Sequence, residues 1–174
     1  MHAERDWVRV VAEERCDECG MRAAQLARTE LGPAIVAVGH EWARYLHATP
    51  PLVLRARPRP GVWTPLEYAA HTRDALAVFA DRMALALVED EPEFGWWDHD
   101  AAAVDERYNE QDAVAVGDAL DANAQRLVAV MQSVPDDGWA RAGTRRGDER
   151  FTVEGIARYA LHEATHHLHD AGGR

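Results

Sequence analysis

Apolar residues recur at intervals of three and four along four long segments of the chain, and this spacing predicts four α-helices. The predicted helices cover residues 30–47, 64–88, 112–134 and 152–169. The second has the strongest start signal, because Thr64 can cap the free amides, Pro65 suits the first turn and Glu67 completes a capping box. Pro- and Gly-rich stretches at 48–61 and 135–150 predict loops, the second of them a hairpin.

The sequence has no convincing strand alternation, so it predicts an all-α protein whose main part is a four-helix bundle over residues 29–170. Residues 89–111 are predicted to form a long polar and aromatic connection with one short helical turn. Residues 1–28 are predicted to form an irregular N-terminal segment that contains a Cys-x-x-Cys motif. A chain of 174 residues has room for one domain with a single core.

The charge balance disfavours two classes of partner. The chain has 19 basic and 30 acidic residues, which gives a formal net charge of −11, so its surface repels phosphate backbones and nucleic-acid binding is not expected. The longest apolar stretch, residues 31–39, is too short to span a membrane, and the first ten residues lack the apolar region of a secretory signal. With two cysteines in total, we expect a protein of the reducing cytoplasm.

Four of the nine histidines fall within residues 162–169, where two pairs of candidate metal ligands overlap. His162 and His166 have the H-E-x-x-H spacing of zinc peptidases, in which Glu163 would be the base. Glu163 and His167 form the second pair, also four residues apart and hence on one helix face. At about 100° per residue, Glu163 and His167 point toward the apolar side of the helix, whereas His162, His166 and His169 are predicted to lie on a solvated face.

A buried carboxylate and imidazole need a charged partner or a metal ion. His71, on the flank of the apolar face of the second predicted helix, is the candidate third ligand. His71, Glu163 and His167 together would leave a coordination position open for water or substrate. This ligand set suits zinc, nickel, iron or manganese. Alternatively, His71 is a hydrogen-bonded core histidine.

Two motifs resemble those of the DinB-like superfamily. Residues 63–74, WTPLEYAAHTRD, are similar to the second-helix motif W-[ST]-x-x-E-x-x-x-H-x-x-D, and residues 163–170 are similar to the E-x-x-x-H-x-x-D motif of the mycothiol-dependent maleylpyruvate isomerase branch. In the neighbouring bacillithiol transferase branch, a His stands at the position of Glu163. The resemblance implies a four-helix bundle with a divalent metal held by His71, Glu163 and His167. It also implies that such bundles pair as homodimers.

The resemblance further implies a metal-dependent enzyme that uses a low-molecular-weight thiol in an S-transferase or isomerase reaction. The thiol would be mycothiol, because the basic residues are all Arg, a bias typical of high-GC bacteria. The partners would be a small thiol and an electrophile. Alternatives are a non-catalytic metal-binding stress or binding protein and an H-E-x-x-H metal hydrolase. Candidate substrate contacts are Arg73, Arg141, Arg145, Arg146, Trp63, Trp96, Trp97 and Trp139.

Cys16 and Cys19, followed by Gly20, resemble half of a zinc knuckle or a redox pair. A tetrahedral metal site would need histidines as well, with His40 and His47 as candidates, or a second subunit's pair. A reduced pair without a structural role is the remaining alternative.

Overall fold

The computed structural model of the chain describes residues 7–147 and 149–173. Within these residues the chain forms seven α-helices and one antiparallel pair of strands. The helices are α1 (Trp7–Glu13), α2 (Arg28–Ala48), α3 (Pro51–Leu54), α4 (Pro65–Val88), α5 (His99–Asp105), α6 (Ala113–Gln132) and α7 (Val153–Asp170). The strands are β1 (Ala142–Arg145) and β2 (Glu149–Thr152), and short 3₁₀ helices cover Ala23–Gln25, Tyr108–Glu110 and Asp136–Ala140.

The four long helices α2, α4, α6 and α7 form a bundle, which confirms the predicted all-α, four-helix architecture. Around the bundle the order is α2, α6, α4, α7, so each of these helices packs against two others. Among the four long helices, α2 and α4 are consecutive along the chain but lie diagonally opposite in the bundle. The same holds for α6 and α7. Helix α7 is therefore placed between α2 and α4, and one of its faces meets α4.

The start of α4 follows from local chemistry, as the sequence predicts. The hydroxyl of Thr64 accepts a hydrogen bond from the backbone N–H of Glu67 (3.1 Å), and the Glu67 carboxylate accepts one from the backbone N–H of Thr64 (2.7 Å). Arg57 in the preceding loop also donates to the Glu67 carboxylate (2.7 Å). Because two otherwise unpaired amides are satisfied in this way, the helix begins at Pro65 and the loop is fastened to it.

Helix α7 begins in the same manner, since the Thr152 hydroxyl accepts a hydrogen bond from the backbone N–H of Gly155 (2.9 Å). A buried side chain holds the helix against α2: the Trp42 indole donates a hydrogen bond to the backbone carbonyl of Ala164 (2.9 Å). The predicted start of α2 is two residues too late, because that helix begins at Arg28, and Pro33 lies inside it. Helix α7 is thus fixed at its start and at its middle.

The hairpin formed by β1 and β2 is hydrogen-bonded to part of the long connection between α4 and α6. Strand β1 pairs with β2, and its Thr144 also exchanges backbone hydrogen bonds with Pro92 and Phe94 (2.9 and 2.7 Å). The connection contains α5 and a 3₁₀ turn, where the sequence predicts one short helical turn. The tryptophans at 96 and 97 directly follow the part that β1 holds.

The N-terminal segment is more ordered than its sequence predicts, because it includes α1 and the 3₁₀ helix Ala23–Gln25. Both elements pack against α7. Val10 and Val11 of α1 are buried, so one face of this short helix joins the core. No helix among residues 7–147 and 149–173 is both long and apolar enough to cross a membrane.

Candidate metal centre

Three predicted ligands meet where α4 packs against α7. His71 Nε2 lies 2.9 Å from Oε1 of Glu163, and His167 Nε2 lies 3.3 Å from the same oxygen. His71 is buried and the other two side chains are largely buried. Ligand atoms bound to one ion at 2.0–2.2 Å are separated by about 3.3–3.5 Å in tetrahedral geometry. The three side chains therefore fit a divalent ion with only a small outward shift.

Neighbouring side chains hold both imidazoles in place. The second ring nitrogen of His167, Nδ1, is 3.0 Å from Oδ2 of Asp170, a contact that directs Nε2 toward Glu163. The Tyr68 ring stacks on His167 at 5.1 Å between ring centroids. Trp97 lies parallel to the His71 ring at 5.2 Å. These contacts restrict the rotation of both rings, so the site is organised before any ion binds.

The charges of the three groups are set by their contacts with one another. Burial lowers the pKa of His71 below its ordinary value, although the hydrogen bond with Glu163 opposes this. Burial acts to raise the pKa of Glu163, but the charge and hydrogen bond of His167, followed by those of His71, hold it well below its usual range. Burial acts to lower the pKa of His167, but the charge of Glu163 and the hydrogen bond with Asp170 raise it to about 9. At neutral pH an ion entering the site must therefore displace a proton from His167.

A cavity of about 440 Å³ opens beside this centre. Its walls include His71, Glu163 and His167, together with three arginines and three of the predicted tryptophans: Arg82, Arg145, Arg146, Trp63, Trp96 and Trp97. The Arg146 guanidinium lies 3.8 Å from the centre of the Trp96 ring. Burial, followed by the nearby charge of Arg145, lowers the pKa of Arg82 to about 10. The wall also carries Asp100 and Glu149, and Glu149 pairs with Arg145 (2.6 Å). A ligand with a carboxylate or phosphate group would therefore compete with Glu149 for Arg145.

Three other predicted substrate contacts lie elsewhere. Arg73 pairs with Asp74 (2.7 Å), and Arg141 donates to backbone carbonyls at the end of α4. Trp139 packs under the guanidinium of Arg28. Arg82 is a cavity residue that the sequence motifs do not indicate, although its position three helical turns after His71 places it on the same face of α4. The helical periodicity of α4 could therefore have identified Arg82 from the sequence.

The outer face of α7 differs from its prediction. His162 and His166 are buried, so the expectation that they are solvated is wrong, whereas His169 is exposed as expected. The N-terminal segment covers them, and the Sγ atom of Cys16 lies 3.5 Å from Nδ1 of His166. Glu163, which lies between His162 and His166 in sequence, contacts His71 (2.9 Å) and His167 (3.3 Å).

The histidines proposed to complete a site with the cysteines are far from them. His40 and His47 lie on α2, where their side chains are exposed and contact Asp121 (3.4 Å) and Asp118 (3.2 Å) of α6. Burial raises the pKa of the Cys19 thiol to about 11. A reactive redox thiol needs the opposite shift, toward a lower pKa.

The comparisons with known proteins agree with this architecture. The sequence model of the DinB superfamily matches residues 34–171. One similar solved structure is that of YfiT from Bacillus subtilis, described as a probable metal-dependent hydrolase with an unusual four-helix bundle topology. The TM-score is 0.75 at 18% sequence identity, and the match covers 84% of this chain and 85% of YfiT. No curated protein matches the chain significantly in sequence. The bundle, its two motifs and the matched residues show that the chain belongs to the DinB superfamily.

Proposed function

We propose that the protein is a divalent-metal-dependent enzyme that transfers a low-molecular-weight thiol to an anionic electrophile. The observation that carries this proposal is the convergence of one oxygen and two nitrogen donors on the wall of a cavity that three arginines also line. His71, Glu163 and His167 would hold the ion, and zinc, nickel, iron and manganese all accept such ligands. When bound, the ion would lower the pKa of a thiol or water and supply a nucleophile at neutral pH.

The remaining chemistry would come from side chains around the cavity. Arg145 and Arg146 would bind the anionic group of the electrophile and orient its reactive carbon. Trp97 would shield the His71 side of the centre from water. In the transfer, the thiol sulfur forms a bond to carbon, the leaving group departs with the bonding electron pair, and the thiol proton passes to solvent.

The choice of a thiol rests on the motif at residues 163–170, which resembles that of the mycothiol-dependent isomerase branch. Mycothiol is therefore the first thiol to test. Hydrolysis is the second candidate function, because YfiT is described as a probable metal-dependent hydrolase. Two histidines and one carboxylate with an open position are also the ligands of several zinc hydrolases.

The test is to load the purified protein separately with zinc, nickel, iron or manganese and to measure two activities. One assay follows the loss of free thiol when mycothiol, bacillithiol or glutathione meets anionic and neutral electrophiles. The other follows hydrolysis of carboxylic and phosphoric ester substrates. We expect metal-dependent consumption of mycothiol, with anionic electrophiles preferred over neutral ones of the same reactivity.

Three variants make the result specific. His71→Ala should abolish both metal binding at this centre and activity. Arg145→Ala should raise KM for the anionic electrophile more than for the neutral one. His169→Ala changes an exposed histidine of the same helix and should leave both unchanged. Ester hydrolysis without thiol transfer would move the assignment to the hydrolase, and metal binding without either activity would favour a non-catalytic binding protein.

A further inference from the structure

The fold brings four side chains with strong metal affinity together on the outer face of α7. Cys16 and Cys19 come from the turn after α1, and His162 and His166 come from α7. One donor atom from each of these residues lies within 4.8 Å of the donors of the other three. Two cysteines three positions apart in a turn (C-x-x-C) and two histidines four positions apart on a helix (H-x-x-x-H) are the donor spacings of Cys₂His₂ zinc sites.

The turn that carries the cysteines has the geometry such a site needs. The backbone N–H of Gly20 donates to the carbonyl of Cys16 (2.9 Å), and the backbone N–H of Cys16 donates to the carbonyl of Met21 (2.9 Å). Gly20 adopts a φ of +76°, a conformation that residues with a side chain rarely accept. The turn is closed by these bonds, so both thiols are held on the side that faces α7.

The distances are close to those around a tetrahedral zinc ion. With Zn–S bonds of about 2.3 Å and Zn–N bonds of about 2.0–2.1 Å, neighbouring ligand atoms are separated by about 3.3–3.8 Å. Sγ of Cys16 and Nδ1 of His166 are already 3.5 Å apart. The imidazoles of His162 and His166 lie side by side, with ring centroids 5.2 Å apart. A contraction of about 1 Å in the widest pairs would complete the tetrahedron.

The outward-facing nitrogen of His166 also has the environment of a metal ligand. Its Nε2 lies 3.2 Å from a carboxylate oxygen of Glu18 and 3.4 Å from Oδ2 of Asp170. A carboxylate on the second ring nitrogen fixes the tautomer of a ligating histidine and leaves the first nitrogen for the ion. Glu18 lies between the two cysteines in sequence, so the turn supplies both sulfur ligands and one of these carboxylates.

We propose that Cys16, Cys19, His162 and His166 bind a structural zinc ion that fastens the N-terminal segment to α7. Four protein ligands close the coordination sphere, which is the arrangement of structural rather than catalytic zinc. Helix α1 has seven residues, fewer than an isolated helix requires in water, so it depends on its contacts with the core, and the ion would add to the packing of Val10 and Val11. This site shares none of the three ligands of the His71 centre. The two groups are neighbours, however: His162 and His166 line the same cavity, and Asp170 contacts both His166 (3.4 Å) and His167 (3.0 Å).

The test begins with metal content and the chemistry of the ligands. Protein purified under reducing conditions and supplied with zinc should hold one zinc ion that is lost in the Cys16→Ser/Cys19→Ser variant and retained in His71→Ala. Zinc-edge X-ray absorption of the His71→Ala protein should show sulfur at about 2.3 Å and nitrogen at about 2.0–2.1 Å. His40→Ala/His47→Ala is the matched control, because it removes the same number of zinc-binding side chains without altering this cluster.

A second measurement addresses the structural role and does not require a cysteine variant to fold. Removing zinc from the His71→Ala protein, which keeps the cysteines but lacks the other centre, should accelerate tryptic cleavage at Arg15 and Arg22, and zinc should restore protection. Zinc bound without any sulfur ligand would overturn the proposal. So would a zinc content that the two serine substitutions leave unchanged. Because His71→Ala and Cys16→Ser/Cys19→Ser report on different ions, failure of this site is distinguishable from failure of the proposed enzyme centre.

Discussion

Substitution of Gly143 in β1 tests whether close packing against the hairpin positions the connection that carries Trp96 and Trp97, two residues of the cavity wall. A methyl group added at this position would lie 2.4 Å from Cζ of Phe94 and 2.7 Å from the carbonyl oxygen of Pro92. Neither neighbour can move freely, because Phe94 is buried and the backbone of both residues is hydrogen-bonded to Thr144. Gly143→Ala therefore forces the connection that leads to Trp96 and Trp97 away from the hairpin.

The cost follows from the size of the overlap. Carbon atoms pack at about 3.5–4.0 Å, so the contact with Phe94 requires a displacement of about 1 Å. Overpacking of this kind costs about 1–3 kcal/mol. The lower entropy of alanine in the unfolded chain returns about 0.4–1 kcal/mol. The middle of these ranges leaves a net cost of about 1.3 kcal/mol. For a chain of this length 1 kcal/mol shifts Tm by about 2–4 °C, so a Tm lowered by about 3–5 °C is expected.

The measurement is thermal unfolding followed by circular dichroism, with Gly95→Ala as the matched control. Gly95 belongs to the same connection, but a methyl group there would meet no atom within 4 Å. Its substitution should change the free energy of unfolding by less than about 1 kcal/mol. Equal Tm values for Gly143→Ala and Gly95→Ala would refute the argument that the hairpin holds this wall by close packing.

Three further predictions concern the metal centre and the core. Asp170→Ala removes the partner of His167 Nδ1 and should weaken metal binding at the His71 centre about 10–100-fold in calorimetric titrations, whereas the exposed His169→Ala should not. Because Asp170 also contacts His166 (3.4 Å), both variants are titrated in the Cys16→Ser/Cys19→Ser protein. The pKa of His167 is about 9 before the ion binds, so below that pH the ion must displace one proton. The affinity for the metal ion should therefore fall about tenfold for each pH unit below about 9. Equal affinities at about pH 6 and pH 8 would contradict this. Trp42→Phe removes the hydrogen bond to Ala164 and should lower the free energy of unfolding by about 1–3 kcal/mol in urea titrations, so an unchanged midpoint would show that the bond is dispensable.

The parts of the structure that the sequence predicts well are those with local causes. The start of α4 follows from Thr64, Pro65 and Glu67, since the side chains and backbone of Thr64 and Glu67 satisfy one another within a single turn and proline suits the first helical position. The direction of Glu163 and His167 follows from helical periodicity, because the apolar residues of α7 mark the side that faces the bundle. These inferences need no knowledge of the neighbouring helices.

The outer face of α7 could not be predicted in this way. A helical projection assumes one buried face, but α7 is also covered by the N-terminal segment, so His162 and His166 are buried on the side where solvent was expected. The contact between Cys16 and His166 joins residues 150 positions apart. No local sequence pattern indicates a contact between residues so far apart in the chain. The Cys-x-x-Cys motif and the His162/His166 pair can be recognised as one group only when the fold brings them together.

The diagonal placement of consecutive helices has a consequence for the order of folding. Among the four long helices, α4 and α6 are the one pair that is both consecutive in the chain and adjacent in the bundle, so local hairpin formation can assemble only half of it. The remaining contacts of the bundle can form only when α7 packs between α2 and α4. Contacts between distant parts of a chain slow folding, and we therefore expect slower folding than in an up-and-down bundle of equal size. During synthesis, neither group of candidate ligands can assemble before α7 has left the ribosome, so any metal binding at either group would have to follow the synthesis of that helix.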